Sequence, residues 1–288
     1  RYFYDDRGSE LFEQITRLPE YYPGRTEKGI LEKKGSEIMR NFGGDQVIEL
    51  GSGDCSKISL LFDALPAKRF EGLQYHPVDV SRAAVEQSSS ILREKYPGLQ
   101  IHGMLTDFLK HVKFYPTRSA RLVCFFGSTL GNFRREVAGQ FLLNVASMMD
   151  PGDRFLLGLD MVKDREVLEA AYNDSRGVTA AFNRNILSAV NQLVGTSFDP
   201  GSFRHVAFYN EAEKRVEMHL EAICDMEVAL PDHENPLFIR TGERIHTENS
   251  HKYASTDIME MATLTGLTID EIFTDENEWF SLVYFRKD

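Results

Sequence analysis

The residues of this chain that could do chemistry begin with a glycine turn. In "VIELGSGDCSKI", Val47 to Ile58, an apolar run holding Glu49 passes into Gly51 and Gly53 and then into a helical pattern. Glycines at such a turn let the backbone approach a ligand closely, and the helix that follows offers free N–H groups. Gly51 and Gly53 match the first two glycines of G-x-G-x-x-G, but Ser56 holds the third position. Glycine turns also close ordinary strand-to-helix loops, so the turn alone leaves a cofactor site and a plain loop equally open. Asp79, ending the next strand-like run in "HPVDVS", can accept hydrogen bonds from both hydroxyls of an adenosine ribose. NAD enzymes use the same device. Asp107 and Phe108 in "TDFLKH" add an acidic and aromatic pair, although Asp107 taken alone reads as a helix N-cap. Together the three features favour a nucleoside-bearing cofactor.

Such residues converge only if a frame brings strand ends together. From Val47 to about Asp160, "VIEL", "LQYHPVDV", "RLVCFF" and "FLLGLDMV" read as strands, while "KISLLFDALP", "SRAAVEQSSSILREKY" and "RREVAGQFLLNVASMM" carry helical spacing. This alternation predicts a parallel, doubly wound sheet. Pro151 and Gly152 mark a helix-to-strand turn. Residues from about Val162 to Leu193 look helical throughout, and "HVAFYN", "RVEMHLEAI" and "MEVAL" look like antiparallel strands of an inserted unit. The first pattern then resumes. "ASTDIMEMATLTG" is a helix stopped by Gly266, and "LTIDEIFTD" and "WFSLVYFRK" are closing strands around an acidic turn.

Bulk composition narrows the partners. With 33 Lys+Arg against 44 Asp+Glu, the formal charge of -11 disfavours a nucleic-acid backbone or an anionic membrane and leaves a small molecule. The chain of 288 residues with 42% hydrophobic content can bury one large or two modest cores. Three scattered cysteines, Cys55, Cys124 and Cys224, suggest neither a disulfide framework nor a thiolate metal site. A cytoplasmic setting is expected, since no apolar run nears the roughly 20 residues of a membrane helix and "RYFYDDRGSE" is not a signal peptide. The eight histidines include no H-E-x-x-H or comparable spacing, so no metal is implied.

The glutamate in "VIELGSG", "TDFLKH" after the third strand and the final strand pair resemble class I S-adenosylmethionine-dependent methyltransferases. Longer segments narrow the likeness. "RYFYDDRGSELFEQITRLPEYYPGRTE", "GSTLGNF", "DMVKDREVLEAAYNDSRGVTAAFNRNIL" and "GERIHTENSHKY" are similar to the histidine-specific N-methyltransferase family of ergothioneine biosynthesis, over essentially the whole chain. That family converts the α-amine of L-histidine to the trimethylammonium betaine hercynine. The resemblance implies an α/β fold: a Rossmann-like doubly wound sheet with an inserted α+β substrate-binding domain. Residues 27–160 and 253–288 are expected to bind S-adenosylmethionine, and 1–26 and 161–252 to bind the substrate. A monomer is expected.

The resemblance also implies roles for single residues. Gly51, Ser52, Gly53, Lys57, Asp79, Asp107 and Phe108 would contact the cofactor. Asn132 and Tyr172 would bind the substrate carboxylate without adding positive charge near a sulfonium. Tyr21, Glu248 and Ser250 would receive the imidazole, with Met218 lining the ring site, and Tyr4 and Gly127 would lie near the amine. Met218 also alternates with Val216 and Leu220, a packing pattern. Asp54 and Cys55 stand where small or hydroxyl residues are expected, and Asn249 where a β-branched apolar one is. Regular alternation turns Asn249 away from Glu248 and Ser250, whereas a bulge there would separate that pair. A related enzyme acting on tryptophan or tyrosine is the alternative; an NAD oxidoreductase, lacking a third glycine, and a binding-only protein are more distant.

Overall fold

A computed structural model describes residues 5–109, 114, 119–231 and 235–288. Tyr4, expected near the substrate amine, lies outside the described residues. The chain divides into two compact units, one of residues 26–162 and 253–288 and the other of 1–25 and 163–252.

After α1 (Asp6–Thr16) and α2 (Pro23–Asn41), the larger unit runs β1 (Gln46–Leu50), α3 (Ser56–Asp63), β2 (Gln74–Asp79) and α4 (Arg82–Lys95). It continues through β3 (Gln100–Ile101), β4 (Met104–Leu105), β5 (Arg121–Phe125), α5 (Arg135–Met148) and β6 (Arg154–Asp160). The smaller unit holds α6 (Arg165–Ala170), α7 (Val178–Val194), β7 (Phe203–Asn210), β8 (Arg215–Ala222), β9 (Met226–Val228), β10 (Leu237–Ile239) and β11 (Arg244–His251). α8 (Ser255–Thr265), β12 (Thr268–Thr274) and β13 (Phe280–Arg286) complete the larger unit.

Its sheet has the order β12-β13-β6-β5-β1-β2-β3, with β4 also on β2. All pairings from β3 to β6 are parallel, and β13 joins antiparallel to β6 and β12. Strand order reverses between β1 and β5, the place where doubly wound sheets open a crevice at their carboxyl ends. The third strand is only the two-residue pieces β3 and β4. Both faces of the sheet are covered. Val47 packs with Ile30, Leu31 and Ile38 of α2 and Leu61 and Phe62 of α3. Ile48 and Leu50 point the other way, toward Phe141, Leu142 and Val145 of α5 and Ile258 of α8.

In the smaller unit β7, β8 and β11 form an antiparallel sheet of order β11-β8-β7, and α1 packs on α7. Leu11 and Ile15 of α1, Val178 and Phe182 of α7 and Met218 of β8 make one core. One expectation needs correction. The helical reading of 162–193 breaks at 171–177, because the Asp174 carboxylate accepts the N–H groups of Val178 and Thr179 at 2.9 and 2.7 Å and Gly177 turns left-handed at φ 71°. "MEVAL" supplies an antiparallel strand as expected: β9 pairs with β10 in a separate ribbon, while β11 is the third strand beside β7 and β8. No helix among the described residues is long and apolar enough to cross a membrane.

Candidate active site

In the larger unit the glycine turn leaves β1 with Gly51 and Gly53 at φ 69° and 51°. These left-handed angles favour glycine, and a Cβ at Gly53 would meet nothing within 4 Å, so the backbone there is open to a ligand. Gly51 donates to the Val78 carbonyl at 2.8 Å, tying the turn to the end of β2. Asp79 then accepts the Gly53 N–H at 3.2 Å on Oδ2 and the Ser81 N–H at 2.9 Å on Oδ1. A Cβ on Gly51 would stand 3.6 Å from the Phe108 ring, so Phe108 borders the same turn. Phe108 is itself held against Phe125 and Phe141, with ring centroids 5.4 and 5.9 Å away. Asp107 accepts the Leu109 N–H at 3.1 Å, a local turn cap; the rest of the "FLKHV" pattern lies mostly outside the described residues. The Ser52 hydroxyl is buried with no partner among the described residues.

Two departures have structural causes. Asp54 accepts the Ser56 N–H at 3.1 Å and its hydroxyl at 2.7 Å, organising the start of α3. Cys55, at φ 56°, turns its side chain into the core, where burial pushes the thiol up to about 11. It is a packing residue. Glu49 likewise faces the core. Burial raises its pKa to about 8, and the Tyr75 hydroxyl donates to it.

Lys57 carries an ion pair that its sequence context hid. Its Nζ lies 2.7 Å from Oε2 of Glu27, a fully buried carboxylate on α2. Both Glu27 oxygens also accept the Gly127 N–H, each at 2.9 Å. A Cβ on Gly158 would come within 2.2 Å of Glu27 Oε1, so glycine in the middle of β6 makes room for the carboxylate. Gly127 is left-handed at φ 77°, and a Cβ there would stand 3.1 Å from Lys57 Nζ. Asn132 ends the short 3-10 turn Thr129–Asn132 and is exposed.

In the smaller unit Tyr21, Tyr172 and Met218 meet in one cluster. Tyr172 donates its hydroxyl hydrogen to Ser250 Oγ at 2.7 Å. The buried Lys252 ammonium donates to the Tyr172 hydroxyl at 3.0 Å and to Ser250 Oγ at 2.9 Å. β11 does contain a bulge, but at Thr247: His246 stands opposite His219 and Glu248 opposite Met218. Thr247 donates to Asn183 Oδ1 at 2.7 Å and the Met218 carbonyl at 2.9 Å. Beyond it Glu248, Asn249 and Ser250 run in register against Met218, Glu217 and Val216, so Glu248 and Ser250 share a face and Asn249 points to the other. Glu248 keeps some accessible surface yet is set deep among protein atoms. Burial lifts its pKa to about 7 against the opposing pull of Lys252. Lys252, which follows Glu248 and Ser250 at the strand period of two, was the signal available in "ENSHK"; Glu27 had none beyond Gly158.

This sheet order with its antiparallel closing pair, and the glycine turn at its crevice, are those of a class I S-adenosylmethionine-dependent methyltransferase. The CcbJ methyltransferase from Streptomyces caelestis has the same fold, with a TM-score of 0.51 at 14% identity over 89% of this chain and 95% of that one. The chain belongs to the family of histidine-specific, S-adenosylmethionine-dependent methyltransferases, whose pattern matches residues 1–287. It is 40% identical over 283 residues to the histidine N-alpha-methyltransferase of Mycolicibacterium smegmatis, covering 98% of this chain and 88% of that protein. It is 32% identical over 287 residues to ergothioneine biosynthesis protein 1 of Neurospora crassa, covering 96% of this chain and 32% of that protein. The family's cofactor fits the turn: open glycine backbone, a Ser52 hydroxyl with no partner among the described residues, a carboxylate at Asp79 and an aromatic face at Phe108.

Proposed function

We propose that this protein transfers methyl groups to the α-amine of L-histidine, ending at the trimethylated betaine hercynine. The observation that carries the substrate half of this reading is the strand face on which Glu248, Ser250 and Lys252 succeed one another beside Met218 and Tyr172. In this proposal Gly51, Ser52, Gly53, Lys57, Asp79, Asp107 and Phe108 hold S-adenosylmethionine. When bound, the cofactor supplies a methyl group activated on a sulfonium sulfur.

Glu248 selects the ring. With its pKa near 7, at neutral pH it can accept an N–H from imidazole or pair with imidazolium, whereas indole offers a single donor in a different place. Tyr21, Met218 and Ser250 complete the ring site. Tyr172 and Asn132 are assigned to the carboxylate; the Tyr172 hydroxyl, polarised by the Lys252 ammonium, would turn its one hydrogen from Ser250 Oγ to the substrate. Tyr4 and the backbone of Gly127 are assigned to the amine. A free α-amine titrates near 8 or above, so the site must favour its neutral form. We infer likewise a cytoplasmic monomer acting on a small-molecule amino acid, and the charge of -11 supports the exclusion of nucleic acid and anionic membranes as partners.

Calorimetric titration of histidine, tryptophan and tyrosine into the protein with S-adenosylhomocysteine present tests the reading. Histidine should bind at least tenfold more tightly than the others, and Glu248→Ala should remove about 1–3 kcal/mol of that preference while leaving the cofactor product's affinity unchanged. Equal affinities for the three amino acids, or equal losses for amino acid and cofactor product, contradict it.

A further inference from the structure

The sheet β7–β8–β11 has a second face that methyl transfer does not use. Glu217 and His219 stand on it two residues apart along β8, and His246 of β11 lies directly opposite His219. One carboxylate oxygen and one ring nitrogen from each histidine lie within 4.8 Å of one another. We propose that Glu217, His219 and His246 bind one divalent transition-metal ion of the zinc class.

Each side chain is already oriented for that role. Glu217 Oε1 is taken by Asn210 Nδ2 at 3.0 Å and Arg215 Nε at 2.9 Å, so Oε2 turns toward the histidines, 3.0 Å from His219 Nε2. His246 Nε2 lies 3.1 Å from the Glu248 carbonyl oxygen. Donating that N–H leaves Nδ1 with its lone pair free for a metal, the backbone-supported arrangement that metal-ligating histidines commonly show. The two imidazoles stack with centroids 4.5 Å apart and planes 17° from parallel, and Phe208 stacks beside the His219 ring at 5.4 Å, limiting its rotation. Two further polar atoms on this face, His219 Nδ1 and Asn249 Oδ1, are buried with no partner among the described residues. With its proton on Nδ1, the His219 ring presents the Nε2 lone pair on the side of Glu217 Oε2.

The donor set decides the metal class. Two imidazole nitrogens and one carboxylate oxygen suit Zn²⁺, Co²⁺, Ni²⁺ or Cu²⁺, whereas Ca²⁺ and Mg²⁺ ask for oxygen ligands. Metal-to-ligand distances of about 2.0–2.2 Å place ligand atoms roughly 3.3 Å apart around a tetrahedral ion. His246, the exposed member, closes the remaining gap by side-chain rotation. Three protein ligands leave one position for water. Arg215 on the same carboxylate offsets part of its charge, so micromolar rather than nanomolar affinity is expected.

No H-x-x-H spacing announces this site, since its ligands meet only through strand register. The test is calorimetric titration of the full chain, freed of metal by chelation, with ZnCl₂ as the probe. One equivalent should bind with micromolar Kd, His246→Ala should weaken it at least thirtyfold, and Cys224→Ser should leave it unchanged. Glu217→Gln should reduce affinity about tenfold and serves as a second variant should His246→Ala misfold. Absence of saturable zinc binding, or binding unaffected by both His246→Ala and Glu217→Gln, overturns the proposal.

Discussion

The Lys252 ammonium donates to the Tyr172 hydroxyl at 3.0 Å and stands 4.9 Å from the centroid of the same ring. A buried cation thus holds a tyrosine by its hydroxyl and faces its ring, with Ser250 Oγ as a shared third partner. A hydrogen bond to a charged group contributes about 1.5–3 kcal/mol. Lys252→Met should therefore raise the KM for histidine roughly ten- to a hundredfold while the affinity for S-adenosylhomocysteine stays within twofold. Lys252→Arg should not rescue it, because a planar fork does not replace a point charge in this space. An unchanged KM in Lys252→Met assigns the residue to packing alone.

Glu27 is coupled to Gly158 through space. The Gly158→Ala methyl would collide with the carboxylate that pairs with Lys57 and accepts the Gly127 N–H. Breaking a buried pair from one side is costly, and the partial exposure of Lys57 moderates the loss to about 1–3 kcal/mol. Thermal denaturation should show Glu27→Gln and Gly158→Ala each lowering Tm by several degrees, and the double variant falling well short of their sum. Additive losses contradict the coupling.

Glu49 makes stability depend on pH in a definite direction. Buried, it keeps its proton up to about 8, while an ordinary glutamate gives it up near 4.5. Below 4.5 both folded and unfolded chains hold the proton, and the contribution is fully present; as pH rises through about 8 it is lost, because only the unfolded chain ionises freely. Glu49→Gln removes this dependence. Its Tm relative to the unaltered protein should climb from pH 5 to pH 8.5, and a difference that stays flat or falls would count against the buried, protonated carboxyl.

The cysteines should react unequally. Cys224 is exposed, Cys55 is buried with its thiol pushed up to about 11, and burial also raises the Cys124 thiol well above its ordinary range. The thiolate is the reactive form. A colorimetric thiol reagent at pH 8 should find one fast equivalent in the folded protein and three after denaturation; rapid reaction of Cys55 would mean the turn opens readily.

Where periodicity repeats, the fold was legible. Strands β1, β2, β5 and β6, the turn at Gly51 and the closing pair β12–β13 follow from alternating apolar runs and breakers. The break at Asp174–Gly177 was missed because apolar spacing continues on both sides of it. Lys252 could have been found by counting two residues on from Ser250. Glu27 could not, since a glutamate on an amphipathic helix looks like solvent surface until the glycine opposite it is seen. The meeting of His219 with His246 depends on strand register and on a bulge at Thr247, which no local pattern encodes.

The reaction expected of this protein is methyl transfer to the α-nitrogen of histidine. Incubation of the protein with S-adenosylmethionine and L-histidine, followed by mass spectrometry of the amino acid, tests it most directly. Successive addition of one, two and three methyl groups on the α-nitrogen, with matching release of S-adenosylhomocysteine, is the predicted result. Histidine recovered unmodified while tryptophan or tyrosine acquires methyl groups under the same conditions contradicts it.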